Sequence, residues 1–139
     1  MKLNTEHLSK TSDTLAAALQ FLQNTPKEQE TLYDLYRNAV IKSFELSLET
    51  SGKLLRRLLK QFVANPTEID QLFFNDVFRH CAKYGILDEE AVSRWLKYRK
   101  SRNQTAHDYG EQLAEETLQL LPDFINDIRA LIEKVKKYE

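Results

Sequence analysis

Ile41-Lys42-Ser43-Phe44-Glu45-Leu46-Ser47-Leu48-Glu49-Thr50-Ser51-Gly52-Lys53-Leu54-Leu55 lies in the middle of the longest uninterrupted helical pattern of the chain, which runs from about Lys27 to Ala64 before Asn65-Pro66 breaks it. Ile41, Phe44, Leu48, Ser51, Leu55, Leu58 and Phe62 alternate in steps of three and four, the spacing of a seam between packed helices. At about 1.5 Å per residue such a helix spans on the order of 50 Å, long for a small domain. Ser51 and Gly52 fall in mid-seam, where small side chains let another helix come close. Glycine there costs about 1 kcal/mol of helix propensity against alanine, and close packing is the compensation. A second stripe, Lys42, Glu45, Glu49, Lys53, Arg56 and Lys60, reads as a solvated, salt-bridged face or as a surface that meets a partner.

The flanking segments have the same period. Leu8, Leu15, Leu19 and Leu22 share one side of a helix from about Thr5 to Gln23, which Asn24-Thr25-Pro26 ends. A third helix starts at Thr67 or Asp70, carries Leu72, Phe73, Val77 and Cys81 as its apolar residues, and runs to Tyr84 before Gly85. Asp88 is placed to cap a fourth helix, with Glu89 and Glu90 in its first turn. After Gly110 a fifth runs from about Leu113 to Tyr138 with Leu118, Leu121, Ile125, Ile128, Ile132 and Val135 on one side, and Pro122 marks a kink or a new first turn. No segment alternates as a strand does. The expectation is an all-α fold: an up-and-down bundle of about five helices with one long central helix, forming a single domain over residues 1–139.

Composition narrows the function classes. The chain has 139 residues, 42% hydrophobic and 29% charged, with 3 Gly and 3 Pro, as a helix-rich globule requires. A net charge of -1 gives no whole-domain attraction for nucleic acid or an anionic membrane, so any polyanion contact must be local. No apolar run reaches membrane-spanning length, Met1-Lys2-Leu3-Asn4 starts no signal peptide, and the lone Cys81 forms no internal disulfide, so a cytoplasmic place is expected. His7 and His80 lack a second ligand at helical spacing and read as ordinary histidines; no metal site is expected. Glycine-rich phosphate loops, nucleophile elbows and transferase-type carboxylate pairs are absent.

One stretch does suggest chemistry: Arg102-Asn103-Gln104-Thr105-Ala106-His107-Asp108-Tyr109, at the end of the fourth helix. Val92, Trp95 and Leu96 form an inward stripe, and counting on in sevens places Arg99, Arg102, Asn103 and Ala106 on the same seam. A guanidinium there must be paired or face a cleft. An arginine forks onto phosphate, a neutral histidine takes a proton near pH 7, and a tyrosine hydroxyl holds a base or donates to phosphate. Yet residues 102 and 107 are five apart, about 140° around an unbroken helix. They converge only if the helix unwinds near Thr105 to Asp108 or a second copy of the chain completes the site across a twofold axis.

Arg102, four intervening residues, His107, one more and Tyr109 resemble the motif of the HEPN (higher eukaryotes and prokaryotes nucleotide-binding) superfamily, in the version with Asn directly after Arg. Phe44-Glu45-Leu46, Glu49, Lys53, Val77-Phe78-Arg79, Ala82, Gly85-Ile86-Leu87 and Trp95 resemble its nucleotidyltransferase substrate-binding branch, and the likeness spans about Leu35 to Tyr138. The resemblance implies a helical homodimer that pairs with a separately encoded minimal nucleotidyltransferase, as a heterotetramer. The partner would bring the catalytic carboxylates, Mg and a nucleoside triphosphate; this chain would bind no cofactor of its own.

Two readings stand side by side. In the first, Arg102, Asn103, His107 and Tyr109 bind a nucleotide or the substrate of the transferase, without catalysis by this chain. In the second the chain resembles HepT-like toxins of toxin-antitoxin pairs: Arg102 and His107 would cleave RNA without metal, and nucleotidylation at Tyr109 would neutralise the toxin. Tyr109 also fits as an aromatic covering the core rim. A purely architectural dimer is the remaining alternative.

Overall fold

The computed structural model describes residues 3–107 and 111–139, apart from the side chains of Ala106, His107 and Leu113. Among these residues there are six helices and no strand: α1 (Glu6–Gln23), α2 (Glu30–Leu59), α3 (Thr67–Asp70), α4 (Phe74–Lys83), α5 (Glu89–His107) and α6 (Glu111–Lys136). At 30 residues α2 is the axis of the bundle, about 45 Å long. It packs against α1, α4 and α6, while α5 lies between α4 and α6. Leu8, Leu15, Leu19 and Leu22 of α1 and Ile41, Phe44, Leu48, Leu55 and Leu58 of α2 are all buried, as their spacing requires. No helix among the described residues is long and apolar enough to cross a membrane.

Two segments differ from their sequence pattern. Helix α2 ends at Leu59 rather than near Ala64, and the chain turns so that Phe62 reaches the rings of Tyr84 and Tyr138, with centroids 5.7 and 5.4 Å away. The expected third helix is divided. Arg56 on α2 donates from its guanidinium to the carbonyl oxygens of Ile69 and Leu72. In a continuous helix those oxygens would accept from residues 73 and 76; here Ile69 O accepts from the Leu72 amide at 3.2 Å in a closing turn and Arg56 takes the remaining capacity, so α3 stops after one turn and the backbone extends at Phe73 (ψ 164°) before α4 begins. Arg56 is therefore a structural clamp and not a member of a free charged face. Glu45 of that stripe is buried as well, whereas Glu49 and Lys53 form the exposed ion pair expected of them, 3.6 Å apart.

The helix ends follow their sequence signals. Gly85 takes φ +75°, and the amides of Gly85 and Ile86 donate to Ala82 O and Cys81 O at 3.1 and 2.8 Å, closing α4 with a left-handed residue. Asp88 accepts from the amide of Ala91 at 2.7 Å and caps α5. Helix α6 begins at Glu111, before Leu113, and carries Pro122 within it.

Aromatic rings fill the centre. Trp95 stacks on Phe78 at 5.1 Å and meets Tyr98 and Phe124 edge-on at 5.6 Å each, while Phe44 meets Phe124 at 4.9 Å. Four helices thus touch through one cluster, with preferred edge and stacked geometries that add to area burial. Beside it, Asp127 on α6 accepts two hydrogen bonds from Arg94, both 2.9 Å, and one from the Tyr98 hydroxyl. Burial and the bond to Asp127 hold the Tyr98 phenol well above its ordinary range, so it stays a donor.

Asp127→Ala strands the buried Tyr98 hydroxyl and should cost about 1–3 kcal/mol in urea unfolding. Arg94→Ala should cost clearly less, because the Arg94 side chain is 43% exposed and Asp127 keeps Tyr98. Burial pushes the Cys81 thiol from 9.0 up to about 12. Native protein should resist thiol labelling at neutral pH and react only on unfolding. Since the folded thiol titrates above the unfolded one, its contribution to stability holds below about pH 9 and declines as pH rises towards 12; Cys81→Ala should remove that part of the alkaline decline in Tm.

Candidate functional site

Helix α5 carries the motif as far as His107 on a continuous backbone. It remains α-helical from Glu89 through His107, so the unwinding that would bring Arg102 and His107 together does not occur up to His107. Five residues of unbroken helix set positions 102 and 107 about 140° apart around its axis. Tyr109 lies outside the described residues, and so does the side chain of His107. The structure therefore places Arg102 and Asn103 in detail and His107 by its helical backbone.

The inward stripe of α5 differs from the count in sevens. Val92, Trp95, Tyr98 and Thr105 are the buried residues, with Tyr98 and Thr105 each 2% exposed. Val92 lies at the edge of this stripe, 7% exposed against 1% for Trp95, so counting seven on from it lands on the flank at Arg99. Arg99 and Arg102 flank the core half-buried, and Asn103 is exposed. Among the described residues no guanidinium is buried in the core seam. The Thr105 hydroxyl is satisfied by Arg102 O at 3.0 Å, and the Ser101 and Thr117 hydroxyls pair at 2.8 Å between α5 and α6.

Arg102 opens into a groove of about 420 Å³ whose walls are the middle of α2, the start of α4 and the end of α5. That is within the range of roughly 300–1,000 Å³ typical of small-molecule sites. Gly52 and Lys53 contribute from α2, Phe73 and Phe74 from the α3–α4 junction, and Arg99 beside Arg102 from α5. Asn103 faces a neighbouring groove with Asn75, Arg79 and Leu96, and Arg99 borders both. Arg102 and Asn103 thus lie to either side of Arg99.

Arg99 is the residue that sequence reasoning placed in the core and did not count as a site residue. Three positions before Arg102 on one helix, it shares that face, and this spacing was the available signal. Its guanidinium rests on the Phe74 ring, 4.5 Å from the centroid. Phe74 in turn lies on Gly52: a Cβ built there would be 2.7 Å from the ring. The close approach expected at Gly52 is therefore made by an aromatic ring from α4. Burial and the neighbouring charge of Arg102 lower the pKa of Arg99, with Glu49 opposing. Among the described residues neither Arg99 nor Arg102 has a carboxylate within 4.0 Å. A partly desolvated pair of guanidinium groups facing a groove is suited to an anion with several oxygens, phosphate above all.

Residues 10–137 match the family described as Nucleotidyltransferase substrate binding protein like. The chain belongs to this family. Among curated proteins the chain is 30% identical over 97 residues to a protein of Haemophilus influenzae named Probable ribonuclease HepT, covering 70% of this chain and 65% of that one. Among solved structures it resembles HI0074 of Haemophilus influenzae, described as showing the fold of a substrate binding domain of a nucleotidyltransferase (TM-score 0.81, 24% identity, 96% of this chain and 99% of the other). A protein of Thermus thermophilus is similar at a TM-score of 0.70 with 22% identity, over 90% of this chain and 98% of its own. The all-helical fold is thus that of the substrate-binding family.

Gly52→Ala should add about 1 kcal/mol of helix propensity and lose more by displacing Phe74, since overpacking costs about 1–3 kcal/mol. The expected result is a net loss of stability in urea unfolding that Phe74→Leu in the same chain reverses.

Proposed function

We propose that this protein is the nucleotide- or substrate-binding subunit of a two-component nucleotidyltransferase, paired with a separately encoded minimal transferase that carries the metal and the nucleoside triphosphate. The observation that carries the reading is the guanidinium pair Arg99 and Arg102, half-buried in a groove that Glu49 also lines, with no carboxylate of the described residues within 4.0 Å of either guanidinium. Family membership supports it. The role assigned to this chain is to bind and orient: Arg102 takes phosphate oxygens, and Asn103, His107 and Tyr109 complete the recognition. With α5 helical through His107, the proposal makes the working unit a homodimer, in which His107 of one copy faces Arg102 of the other.

The name of the Haemophilus relative favours one second reading, a metal-independent ribonuclease of a toxin-antitoxin pair. His107 would take the proton from a ribose 2′-hydroxyl as that oxygen bonds to phosphorus. The bond to the 5′-oxygen breaks, the leaving oxygen takes a proton from water, and Arg102 stabilises the pentacoordinate phosphate. Tyr109 would accept the nucleotide that silences the toxin.

Calorimetric titration of AMP and ATP, with and without the partner, separates these roles. Arg102→Ala should weaken binding by about tenfold or more, as loss of charge-assisted bonds does; unchanged affinity removes the phosphate contact. For the ribonuclease, cleavage should persist in chelator and stop with His107→Ala. Mixing Arg102→Ala with His107→Ala protein should restore up to about a quarter of the activity if the two residues meet across copies, and none if they act within one. Partner, ATP and Mg together should add a nucleotide mass at Tyr109 in the toxin reading only.

A further inference from the structure

Phe73 is the most exposed large apolar side chain among the described residues, 81% accessible, at the rim of the groove that holds Arg99 and Arg102. The sequence pattern counted it among the apolar residues of one continuous third helix. It stands outside because Arg56 ends α3 by taking the carbonyl oxygens of Ile69 and Leu72, and the extended backbone that follows points Phe74 inward and Phe73 out. A bare aromatic ring costs solubility, and the fold does nothing to cover it with described residues. On the same groove the two guanidinium groups lack ion-pair partners among the described residues, and the carboxylate of Glu49 is engaged with Lys53.

We infer that this groove is a two-part nucleotide site in which Arg99 joins Arg102 on the phosphate and Phe73 stacks the base. The ligand class is a flat heteroaromatic ring joined to phosphate, either a mononucleotide or one unit of a single-stranded RNA. An aromatic platform beside cationic phosphate contacts is the arrangement by which single strands and nucleotides are held without sequence-specific hydrogen bonds. Arg99 contributes because Phe74 fixes its guanidinium from below and Gly52 makes room for Phe74. This assignment rests on the proposed binding role of Arg102 and names the groove's other two contacts.

The test titrates the full-length protein with AMP, pyrophosphate and a fluorescent ten-nucleotide oligoadenylate. Phe73→Ala should weaken AMP and oligoadenylate by about tenfold and leave pyrophosphate unchanged, and Phe73→Tyr should restore both. Arg99→Ala should weaken all three probes and lower the salt dependence of oligoadenylate binding by about one ion, with Arg99→Lys recovering part. Tighter oligoadenylate than AMP in the wild type identifies the strand as the ligand; equal affinity identifies the mononucleotide. If Arg102→Ala abolishes binding while Phe73→Ala and Arg99→Ala do nothing, this inference falls and the binding role of Arg102 stands. If the wild-type protein binds none of the probes, or if Arg102→Ala also leaves binding unchanged, both fall. Because Phe73 is exposed, its variants keep the native urea transition and serve where an Arg99 variant loses stability.

Discussion

The packing of Trp95 against Phe78, Tyr98 and Phe124 sets the rest of the molecule. An indole enclosed on several sides by rings has few alternative rotations, and the helix that carries it cannot turn about its own axis without breaking those contacts. Helix α5 is therefore locked in phase. Once Trp95 and Tyr98 point inward, Arg99 and Arg102 have no choice but the flank that faces α2 and α4. The Asp127 clamp on Arg94 and Tyr98 fixes the same phase from the α6 side.

Around that constraint, small local decisions shape the groove. Gly52 gives Phe74 a floor, Phe74 gives Arg99 a seat, and Arg56 diverts two carbonyl groups so that the chain can place Phe74 and Phe73 on opposite sides. Each contact is modest alone. Together they turn a helix–helix junction into a concave, cation-lined surface, at a point where a plain bundle would be sealed by aliphatic side chains.

Much of the fold was legible in the sequence because it rests on periodicity and on end signals. The leucines of α1, the seam of α2 from Ile41 to Leu58, the Gly85 stop and the Asp88 cap all occur where spacing placed them. What periodicity missed depends on long-range hydrogen bonding. Nothing local to Ile69 or Leu72 announces that Arg56, more than a turn and a loop away in the chain, will capture their carbonyl oxygens, so the division of the third helix and the exposure of Phe73 were invisible. Of the candidate groove, the motif named Arg102, which lines it, and Asn103, which faces the neighbouring one, while an error of phase along α5 sent Arg99 to the core and overlooked Tyr98. Seven residues return an ideal helix to within about 20° of the same direction, so Arg99 was misplaced because the count began at Val92, on the edge of the buried stripe.

The anchoring of α5 to α6 also sets the reach of evolutionary change. The clamp at Asp127 lies roughly two and a half turns back from His107, and the ring cluster lies behind it. Ser101 and the buried Thr105 hold the far end of α5 as well, so exchanges at its outward positions Asn103 and Gln104 alter the surface while the bundle behind keeps its stability.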